Sequence, residues 1–570
     1  MPIKIILLQA CKLRRTRRAA AGRITCLFLL LSGIAANTRA QITITPKSAY
    51  SYTDGVGVNT HLRYTHLNYY TAFESIIYPK LKQLGIKHIR DNFPHPSFLG
   101  SVSASLMRQR YLKLHDSCGI KYDYLLDSRR VIDTLRFLND AAYLELFDTN
   151  PELVRTIQHF EGFNEPDRTI AVWFPADWIT LTRTIQQTLW TRTHSTPALS
   201  AVSIINASPT HFGPAPSMPD SLATPTPHIS SWFDYANLHP YDVTGPANRI
   251  FPGARYDQDQ PYYDTLAKGK PWITTEFGFP TARGFNNPAA CTFGLNSFHY
   301  SSELAAGKYY SVAFMELFKR GAARAYAYEF IDQHTADQGD VEKNFGLLRT
   351  DGSEKPAYTA IKNTLAILKD TSLVFSPTPL ALTITGDTAG VRYSLYQKNN
   401  GRYYLALWLG AEKGANYDYT TFTDVGISPQ SITVGLPYTA LVANLYQPLL
   451  TGAPINSYAS TSSITIDVPD NLLLLEIAAP GESAGARTLQ TPAAVGSPLK
   501  EQAVFPNPFR DVLTVRLSTK QMVTVYNGAG VVVFRQTMQP GTQQLNLGTQ
   551  PAGIYYLQYG NGKKVKLVKW

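Results

Sequence analysis

Cysteine is scarce in this chain, with 4 among 570 residues. Cys11 and Cys26 lie within residues 1–40, and only Cys118 and Cys291 follow. Two cysteines so far apart cannot supply a disulfide framework or a cysteine-based metal site. The chain also has no glycine-rich phosphate loop, no internal repeat and no cluster of metal ligands. Nucleotide-binding, repeat and metal-dependent proteins are therefore disfavoured, and no cofactor or metal is expected.

Charge is sparse as well, because charged residues make up 17% of the chain and hydrophobic residues 44%. This balance is typical of packed globular domains and excludes a disordered chain. The net charge of +11 suggests nucleic acid at first. Eight of those charges lie in residues 1–40, however, and removing them leaves +3. We therefore expect no nucleic-acid partner.

Long apolar runs are also missing after residue 40, so no integral membrane segment is expected there. Residues 1–40 have a basic start followed by the apolar run ITCLFLLLSGIAA at 24–36. A small residue, Ala40, precedes the cleavage site that we predict before Gln41. This pattern predicts a signal peptide at 1–40, with an N-terminal membrane anchor as the alternative.

Short apolar strands alternate with helical patterns over residues 45–370. Eight such units predict a (β/α)₈ barrel, with a doubly wound open sheet as the alternative. In the barrel, Cys118 would precede one strand and Cys291 would follow another, which argues against a bridge between them. The predicted strands are GVGVNTH (55–61), IKHIRD (86–91), IKYDYLLD (120–127), IQHFEGF (157–163), ALSAVSI (198–204), YANLHPY (235–241), PWITTEF (271–277) and ARAYAYEFI (323–331).

After the barrel the helical patterns stop and alternating strands follow. We predict a β-sandwich over residues 371–482, a flexible linker over 483–502 and a small all-β module over 503–570. The sandwich is expected to be a structural companion of the barrel, and a glycan-binding module is the alternative.

Catalytic residues of a barrel enzyme lie at the carboxyl ends of its strands. The second strand ends at Arg90, the fourth at Asn164 and Glu165, the sixth at His239 and Tyr241, and the seventh at Glu276. Two carboxylates on separate strands of one face are what glycoside hydrolysis requires. One donates a proton to the leaving oxygen, and the other attacks the anomeric carbon.

In these motifs the barrel resembles the clan A glycoside hydrolases. That clan has Asn-Glu-Pro after its fourth strand and a second glutamate after its seventh, and this chain has GFNEPD and ITTEFG there. The His-x-Tyr pair of the sixth strand is LHPYD here, and the closing segment NFGLLRTDGSEKPAYTAIK is also similar. The resemblance covers about 320 residues, and it implies retaining hydrolysis of a β-linked polysaccharide or oligosaccharide.

The resemblance also implies a role for each residue. Glu165 would be the general acid/base, which holds its proton until the leaving group takes it, and Glu276 the ionised nucleophile. Tyr241 and Arg90 would orient Glu276, Asn164 would bind the sugar 2-hydroxyl, and His239 would line the site. Each has a structural alternative: a helix N-terminal acid for Glu165, surface or buried ion pairs for Glu276 and Arg90, and a core histidine for His239.

Two features depart from the clan. Many members carry a tryptophan after the eighth strand, whereas this chain has Tyr328, Glu329 and Phe330. We therefore expect Phe330, or the loop aromatics Trp173 and Phe174, to stack on the sugar, and Glu329 to offer a third carboxylate near the rim. Glu161 lies deeper on the fourth strand, where we interpret it as structural and paired with Arg90.

The final module begins VFPNPFRDVLTV, continues through VTVYNGAGVVVF and PAGIYYLQYG, and ends KKVKLVKW. It resembles the type A C-terminal sorting domain of type IX secretion cargo in the Bacteroidetes; an ordinary small sandwich is the alternative. The resemblance implies a type IX secretion partner and a secreted or surface location. The function predicted from the whole sequence is a secreted retaining glycosidase, and the alternative is a surface protein that binds glycan without cutting it.

Overall fold

The structure is a computed structural model that describes most of the chain after residue 40. The described residues are 41–93, 102–126, 147, 149–174, 176–210, 218–241, 254–281, 301–333, 342–371, 375–410, 417–418, 423–482, 503–505, 509, 511–517, 519–528, 530–560, 562 and 564–569. The predicted signal peptide, the predicted linker 483–502 and Cys291 lie outside these residues. Cys118 has a free thiol.

Eight parallel strands form the central sheet, and all eight match strands predicted from the sequence. They are β3 (Val56–Asn59), β4 (His88–Asn92), β5 (Lys121–Leu125), β6 (Ile157–Glu161), β7 (Ser203–Ile205), β8 (Ala236–Asn237), β9 (Trp272–Phe277) and β10 (Arg324–Ala327). The sheet order is β7-β6-β5-β4-β3-β10-β9-β8, and a bridge between Ile205 and Tyr235 joins its two ends. The predicted (β/α)₈ barrel is therefore confirmed.

Burial is complete along several of these strands, even where they carry polar residues, as in HIRDN of β4 and WITTEF of β9. Every residue of β3, β4, β9 and β10 is buried, because helices cover the outside and side chains fill the inside. The fifth and sixth strands are shorter than predicted. After Asn237 the chain makes only an isolated bridge, from His239 to Thr210, so the site residues of this strand lie beyond its regular part.

Ten α-helices are described, and those between the barrel strands pack on the outside of the sheet. They are α1 (Ala49–Gly55), α2 (Asn68–Thr71), α3 (Tyr78–Leu84), α4 (Ala104–Cys118), α5 (Pro166–Trp173), α6 (Trp178–Ser195), α7 (Met218–Ala223), α8 (Ala254–Ala267), α9 (Glu303–Lys319) and α10 (Pro356–Leu368). A π-helical turn spans Phe73–Ile77, and short 3₁₀ turns span Pro151–Thr156, Pro197–Leu199, Ile229–Trp232 and Glu342–Asn344.

Local sequence sets where the longer helices begin and end. The hydroxyl of Ser103 accepts a hydrogen bond from the N–H of Leu106 at the start of α4, and Ser302 does the same for Ala305 at the start of α9. Helix α4 ends at Gly119, which has a left-handed backbone with φ of 69°. Glycine adopts that conformation without the strain that a Cβ would add.

A second eight-stranded sheet, the companion sheet, follows the barrel and also takes in the chain before it. Its strands are β1 (Ile42–Ile44), β2 (Lys47–Ser48), β11 (Leu380–Gly386), β12 (Val391–Gln397), β13 (Tyr403–Leu409), β16 (Gln430–Tyr446), β17 (Asn456–Val468) and β18 (Leu473–Ile477). A separate short hairpin pairs β14 (Tyr417–Asp418) with β15 (Thr423–Asp424). The sequence did not predict that residues 42–48 join this sheet.

Alternate side chains of β13 face opposite sides of the companion sheet, and one side packs against the barrel. Tyr404 and Trp408 belong to the same apolar core as the barrel, whereas Leu405 and Leu407 face the core of the companion sheet itself. The Trp408 indole N–H donates to the buried carboxylate of Glu316 on α9 at 2.7 Å. Side chains on both faces of β13 are therefore buried.

In the last module, the described residues form seven strands in two sheets. The three-stranded sheet contains β19 (Ala503–Phe505), β20 (Val512–Leu517) and β23 (Gly541–Asn546). The four-stranded sheet contains β21 (Gln521–Asn527), β22 (Val532–Met538), β24 (Gly553–Tyr559) and β25 (Lys564–Lys569). Both sheets contribute to one apolar core of their own. The predicted domain boundaries near residues 370 and 482 stay predictions.

Candidate active site

A polar pocket of about 190 Å³ lies at the carboxyl ends of the barrel strands. Residues within or beyond the carboxyl-terminal parts of β3, β4, β5, β6, β8, β9 and β10 line it, so the fold brings together side chains distant in sequence. Five of the six residues predicted at strand ends line this pocket directly: Arg90, Asn164, Glu165, Tyr241 and Glu276. The sixth, His239, is buried beside it and contacts both glutamates.

Glu276 near the end of β9 is held by two donors. The Tyr241 hydroxyl donates to Oε2 at 2.6 Å, and Nη1 of Arg90 donates to Oε1. Burial by itself would raise the pKa of Glu276. The charges of His239 and Arg90 and the hydrogen bond from Tyr241 outweigh that effect and hold the pKa below its ordinary value. The site therefore favours an ionised carboxylate here.

Glu165 lies beyond the end of the fourth barrel strand, immediately before α5. Its backbone is left-handed, with φ of 43° and ψ of 57°, and Pro166 then begins the helix. A left-handed backbone at a residue other than glycine is uncommon and is often found at functional sites. The carboxylate is 3.2 Å from Nδ1 of His239 through Oε1 and 3.1 Å from Nη1 of Arg168 through Oε2.

The two glutamates lie close together, with His239 between them. One oxygen of each carboxylate and one histidine nitrogen all lie within 4.8 Å of one another. Nδ1 of His239 is 3.6 Å from Oε2 of Glu276, while Nε2 is 2.9 Å from the Thr275 hydroxyl. The three side chains could also offer ligand atoms to a cation. Such an ion would compete with Arg90 and Tyr241, which already donate to Glu276.

Beneath the pocket, Arg90 forms a buried network with Glu161. Nε and Nη2 of Arg90 donate to the two Glu161 oxygens at 2.6 and 2.8 Å. Three other donors reach Oε1 of Glu161, from Ser208, Asn237 and Thr275. Glu161 is thus a structural partner of Arg90, as the sequence suggested. A bidentate carboxylate fixes the plane of the guanidinium, and this aims Nη1 at Glu276.

Asn164 is held by the same guanidinium. Its Oδ1 accepts from Nη2 of Arg90 at 2.7 Å, and the side chain lines the pocket. Among the described residues, no protein acceptor contacts its Nδ2. The amide can therefore donate to a hydroxyl group of a ligand in the pocket.

Three aromatic residues were predicted to stack on a sugar, and two of them, Phe330 and Phe174, do not line the pocket. Phe174 is half-buried against the barrel core. Phe330 is fully buried in the barrel core, with its ring 6.5 Å from that of Tyr358. Trp173 is the last residue of α5, and its side chain lies outside what the structure describes. Glu329 is also fully buried, and it accepts hydrogen bonds from Tyr69 at 2.9 Å and Gln333 at 3.0 Å.

Other aromatic residues line the pocket instead, and the sequence reasoning missed them. They are His61, Tyr64, Tyr328 and Phe345. The rings of His61 and Tyr64 stack, with centroids 4.7 Å apart and planes 4° apart. Burial lowers the pKa of His61 to about 3, so its imidazole is neutral. His61 ends the first predicted strand, and the strand-end rule could have found it. Phe345 follows the 3₁₀ turn Glu342–Asn344 within the closing segment, where that rule does not apply.

Comparison with known proteins identifies one part of the chain. Residues 503–570 match the family of secretion system C-terminal sorting domains. The chain ends in a sorting domain of this family. This domain implies export by the type IX secretion machinery, to the cell surface or beyond it. A sequence search of curated proteins finds no match. Within the described residues, no helix has the length and hydropathy needed to cross a membrane.

Solved structures resemble the chain at low sequence identity. A family 39 glycoside hydrolase from Bacteroides cellulosilyticus has 12% identity and a TM-score of 0.45, over 76% of this chain and 83% of that one. A glucosidase from Croceicoccus marinus has 13% identity and a TM-score of 0.49, over 77% and 97%. A bifunctional glucanase-xylanase from a metagenome library has 10% identity and a TM-score of 0.45, over 77% of this chain and 97% of that one. At these values the likeness assigns no activity.

Proposed function

We propose that the protein is an exported glycosidase that cleaves β-glycosidic bonds with retention of configuration. The observation that carries this proposal is the pair Glu165 and Glu276, whose nearest oxygens lie within 4.8 Å. Retaining enzymes place their carboxyl groups roughly 5–5.5 Å apart, whereas inverting enzymes need roughly 6.5–9.5 Å to fit a water molecule. The observed spacing supports direct attack by one carboxylate.

The surroundings of the two carboxylates support different roles for them. Glu276 receives hydrogen bonds from Arg90 and Tyr241, which favour its charged form and fix its direction. It is the nucleophile that attacks the anomeric carbon. Glu165 protonates the leaving oxygen and then takes a proton from the water that hydrolyses the glycosyl-enzyme. His239 lines the site beside both carboxylates, with Nδ1 3.2 Å from Glu165 and 3.6 Å from Glu276.

Asn164 completes the reaction centre by donating from its amide to the sugar 2-hydroxyl, a contact that strengthens in the oxocarbenium-like transition state. The sequence of residues 1–40 supports entry into the export pathway through a signal peptide. The sorting domain then directs the folded enzyme through the outer membrane, and release or surface attachment follows its removal.

The test is reducing-sugar release by the mature protein from a panel of β-glucans, mannans, xylans, galactans and glycosaminoglycans. We expect activity on one of them, and a loss of about three orders of magnitude or more in Glu276→Gln. Glu165→Gln should lose as much on a natural sugar but far less on an aryl glycoside with an acidic leaving group, because that group needs no proton. The first-formed sugar should have the anomeric configuration of the substrate by NMR.

The second candidate is a surface protein that binds glycan without cutting it. No observation in the pocket favours it, since both carboxylates are present. It would replace the proposal if the whole panel gave no product while one glycan bound the protein. Activity that survives Glu276→Gln would instead reject the assigned nucleophile.

A further inference from the structure

A second cavity, the basal cavity, lies at the opposite end of the barrel from the candidate active site. It has a volume of about 770 Å³ and is bounded by α1, α3, α10 and the amino ends of β4, β5 and β6. His88 and Lys121, the first residues of β4 and β5, line it. Residues at the amino ends of barrel strands cannot reach a pocket at the carboxyl ends. The basal cavity is thus separate from Glu165 and Glu276.

Positive charge dominates this cavity. Five lysines line it: Lys82, Lys87, Lys121, Lys362 and Lys369. Only two carboxylates accompany them, and both are engaged within the protein. Asp54 pairs with His88 at 3.1 Å and with Arg324 at 3.1 Å, and Asp370 accepts backbone N–H groups from Thr371 and Asn399. A concave surface lined by one sign of charge concentrates the opposite charge.

Few of the lysines are neutralised. Lys362 pairs with Glu354 at 2.7 Å, and Lys87 donates to the backbone oxygen of Cys118 at 2.6 Å. For Lys121 and Lys369, no acidic partner occurs among the described residues, and both side chains are exposed at the cavity edge. Each ammonium is a mobile point charge that can follow carboxylate or sulfate groups on a flexible ligand.

The floor of the basal cavity is apolar rather than charged. Leu84 and Ile86 are buried there, together with Leu365 of α10, and Tyr50 lies at the edge. The imidazole of His88 is also part of the lining, and its Nδ1 has no hydrogen-bond partner among the described residues. An apolar floor with a tyrosine and a ring of cations suits a ligand with C–H faces and repeated negative groups.

From these features we infer that the basal cavity is a second carbohydrate site, which binds an anionic glycan chain bearing carboxylate or sulfate groups. The site would hold the protein on an acidic polysaccharide while the catalytic pocket works on its own substrate. The inference does not depend on the catalytic roles assigned above, because binding at the basal cavity requires neither glutamate.

Affinity electrophoresis tests the inference on the full protein in native gels that contain polygalacturonate, chondroitin sulfate or the neutral glucan laminarin. We expect at least one of the two polyanions to retard the wild type and laminarin to leave it unaffected. The double variant Lys121→Ala/Lys369→Ala should migrate as it does without polyanion, and Lys121→Arg/Lys369→Arg should keep the retardation. A second double variant, Lys113→Ala/Lys268→Ala, removes the same charge outside the cavity and serves as the matched control.

Hydrolysis of a small neutral glycoside, measured in parallel, should be equal in all three double variants. Several results would overturn the inference. These are no retardation of the wild type by either polyanion, equal retardation by laminarin, or retardation that persists when Lys121 and Lys369 are alanine. Lysine-dependent binding to phosphatidylglycerol vesicles without any polysaccharide binding would assign the cavity to a lipid surface instead.

Discussion

At the scale of single residues, the chemistry depends on how buried charges are paired. Arg90 donates to Glu161, Asn164 and Glu276 at once, so one guanidinium links the floor of the pocket to the proposed nucleophile. Every nitrogen of the Arg90 guanidinium donates to an acceptor, and these hydrogen bonds offset the cost of burying the charge. The hydrogen bonds inside the barrel therefore fix the positions of the side chains that line the pocket.

Tyr241→Phe tests the hydroxyl that contacts Glu276, the proposed nucleophile. Loss of the 2.6 Å hydrogen bond to Glu276 should lower kcat by about 10- to 100-fold, the range for removing a hydrogen bond to a charged group. Because this bond helps to lower the pKa of Glu276, its loss should also move the acid limb of the pH-rate profile to higher pH. A profile of kcat/KM against pH checks both effects. An unchanged acid limb would show that the Tyr241 hydroxyl does not lower the pKa of Glu276.

Asp123→Asn tests a buried carboxyl group with no donor. Both oxygens of Asp123 are buried without a hydrogen-bond partner among the described residues, and burial and the nearby Glu161 raise its pKa well above the ordinary value. The folded protein thus keeps a proton that the unfolded chain releases above about pH 4, and stability is lost as pH rises toward the folded pKa. The neutral asparagine should remove this loss, so the melting temperature should rise relative to wild type, increasingly from pH 5 to pH 8.

Asp91→Asn is the matched control for that comparison. Burial also raises the pKa of Asp91, to about 6, but its carboxylate accepts from Thr60, Leu62 and Asn92. An asparagine amide would place a donor against those donors, so this variant should melt below wild type at every pH in the series. Equal behaviour of the two variants would contradict the distinction drawn between them.

At the scale of elements, the end of the fourth strand needs close packing to present Asn164 and Glu165. A Cβ added to Gly162 would lie 2.2 Å from Oε1 of Gln186 and 2.7 Å from the backbone nitrogen of Ala207. Gln186 itself is fixed, because it accepts from the N–H of Ala207 at 2.8 Å. The strand end is thus positioned by contact with α6 and the chain after β7.

Gly162→Ala should displace this strand end. We expect a loss of stability of about 1–3 kcal/mol from overpacking and a lower kcat, because Glu165 follows closely along the chain. Gly426→Ala is the control, since no atom lies within 4 Å of a Cβ at that position. Thermal unfolding and steady-state kinetics measure the two effects. Wild-type kinetics in Gly162→Ala would show that the strand end tolerates the shift.

At the scale of the whole molecule, the companion sheet is joined to the barrel by polar as well as apolar contacts. Glu316 on α9 is fully buried and accepts from Trp408, Arg392 and Arg320. Glu316→Ala would leave two cations and an indole N–H without this acceptor. We expect a loss of about 3–5 kcal/mol in the free energy of unfolding, measured by denaturant titration, with KM for a small glycoside unchanged.

Truncation after the companion sheet and truncation before it should affect solubility and activity in opposite ways. A chain that ends at residue 482 loses the predicted linker and the sorting domain. The sorting domain has its own core and no residue in the described pocket, so the shortened chain should keep wild-type kcat. A chain that ends at residue 370 also loses the strands that pair with β1 and β2 and cover α9, and it should be largely insoluble. Soluble, active protein from the shorter of these two chains would contradict the companion role.

Local signals in the sequence were sufficient to set the order of strands and helices, because periodicity and strand-end motifs involve neighbouring residues. They therefore placed Arg90, Glu165, Tyr241 and Glu276 at the carboxyl ends of barrel strands, where parallel strands bring them to one face. The sorting domain was identified in the same way, since its motifs are contiguous.

Two other features depend on the tertiary structure alone. One is the set of aromatic rings that reach the pocket, and the other is the pairing of residues 42–48 with the companion sheet. Phe330 and Tyr328 are close neighbours after one strand, yet Phe330 is fully buried in the core and Tyr328 lines the pocket. The direction of a side chain beyond a regular strand depends on loops that arrive from elsewhere in the chain. The lysines of the basal cavity likewise come from α3, from α10 and the residue after it, from the residue before β4 and from the start of β5, and no local pattern could have assembled them.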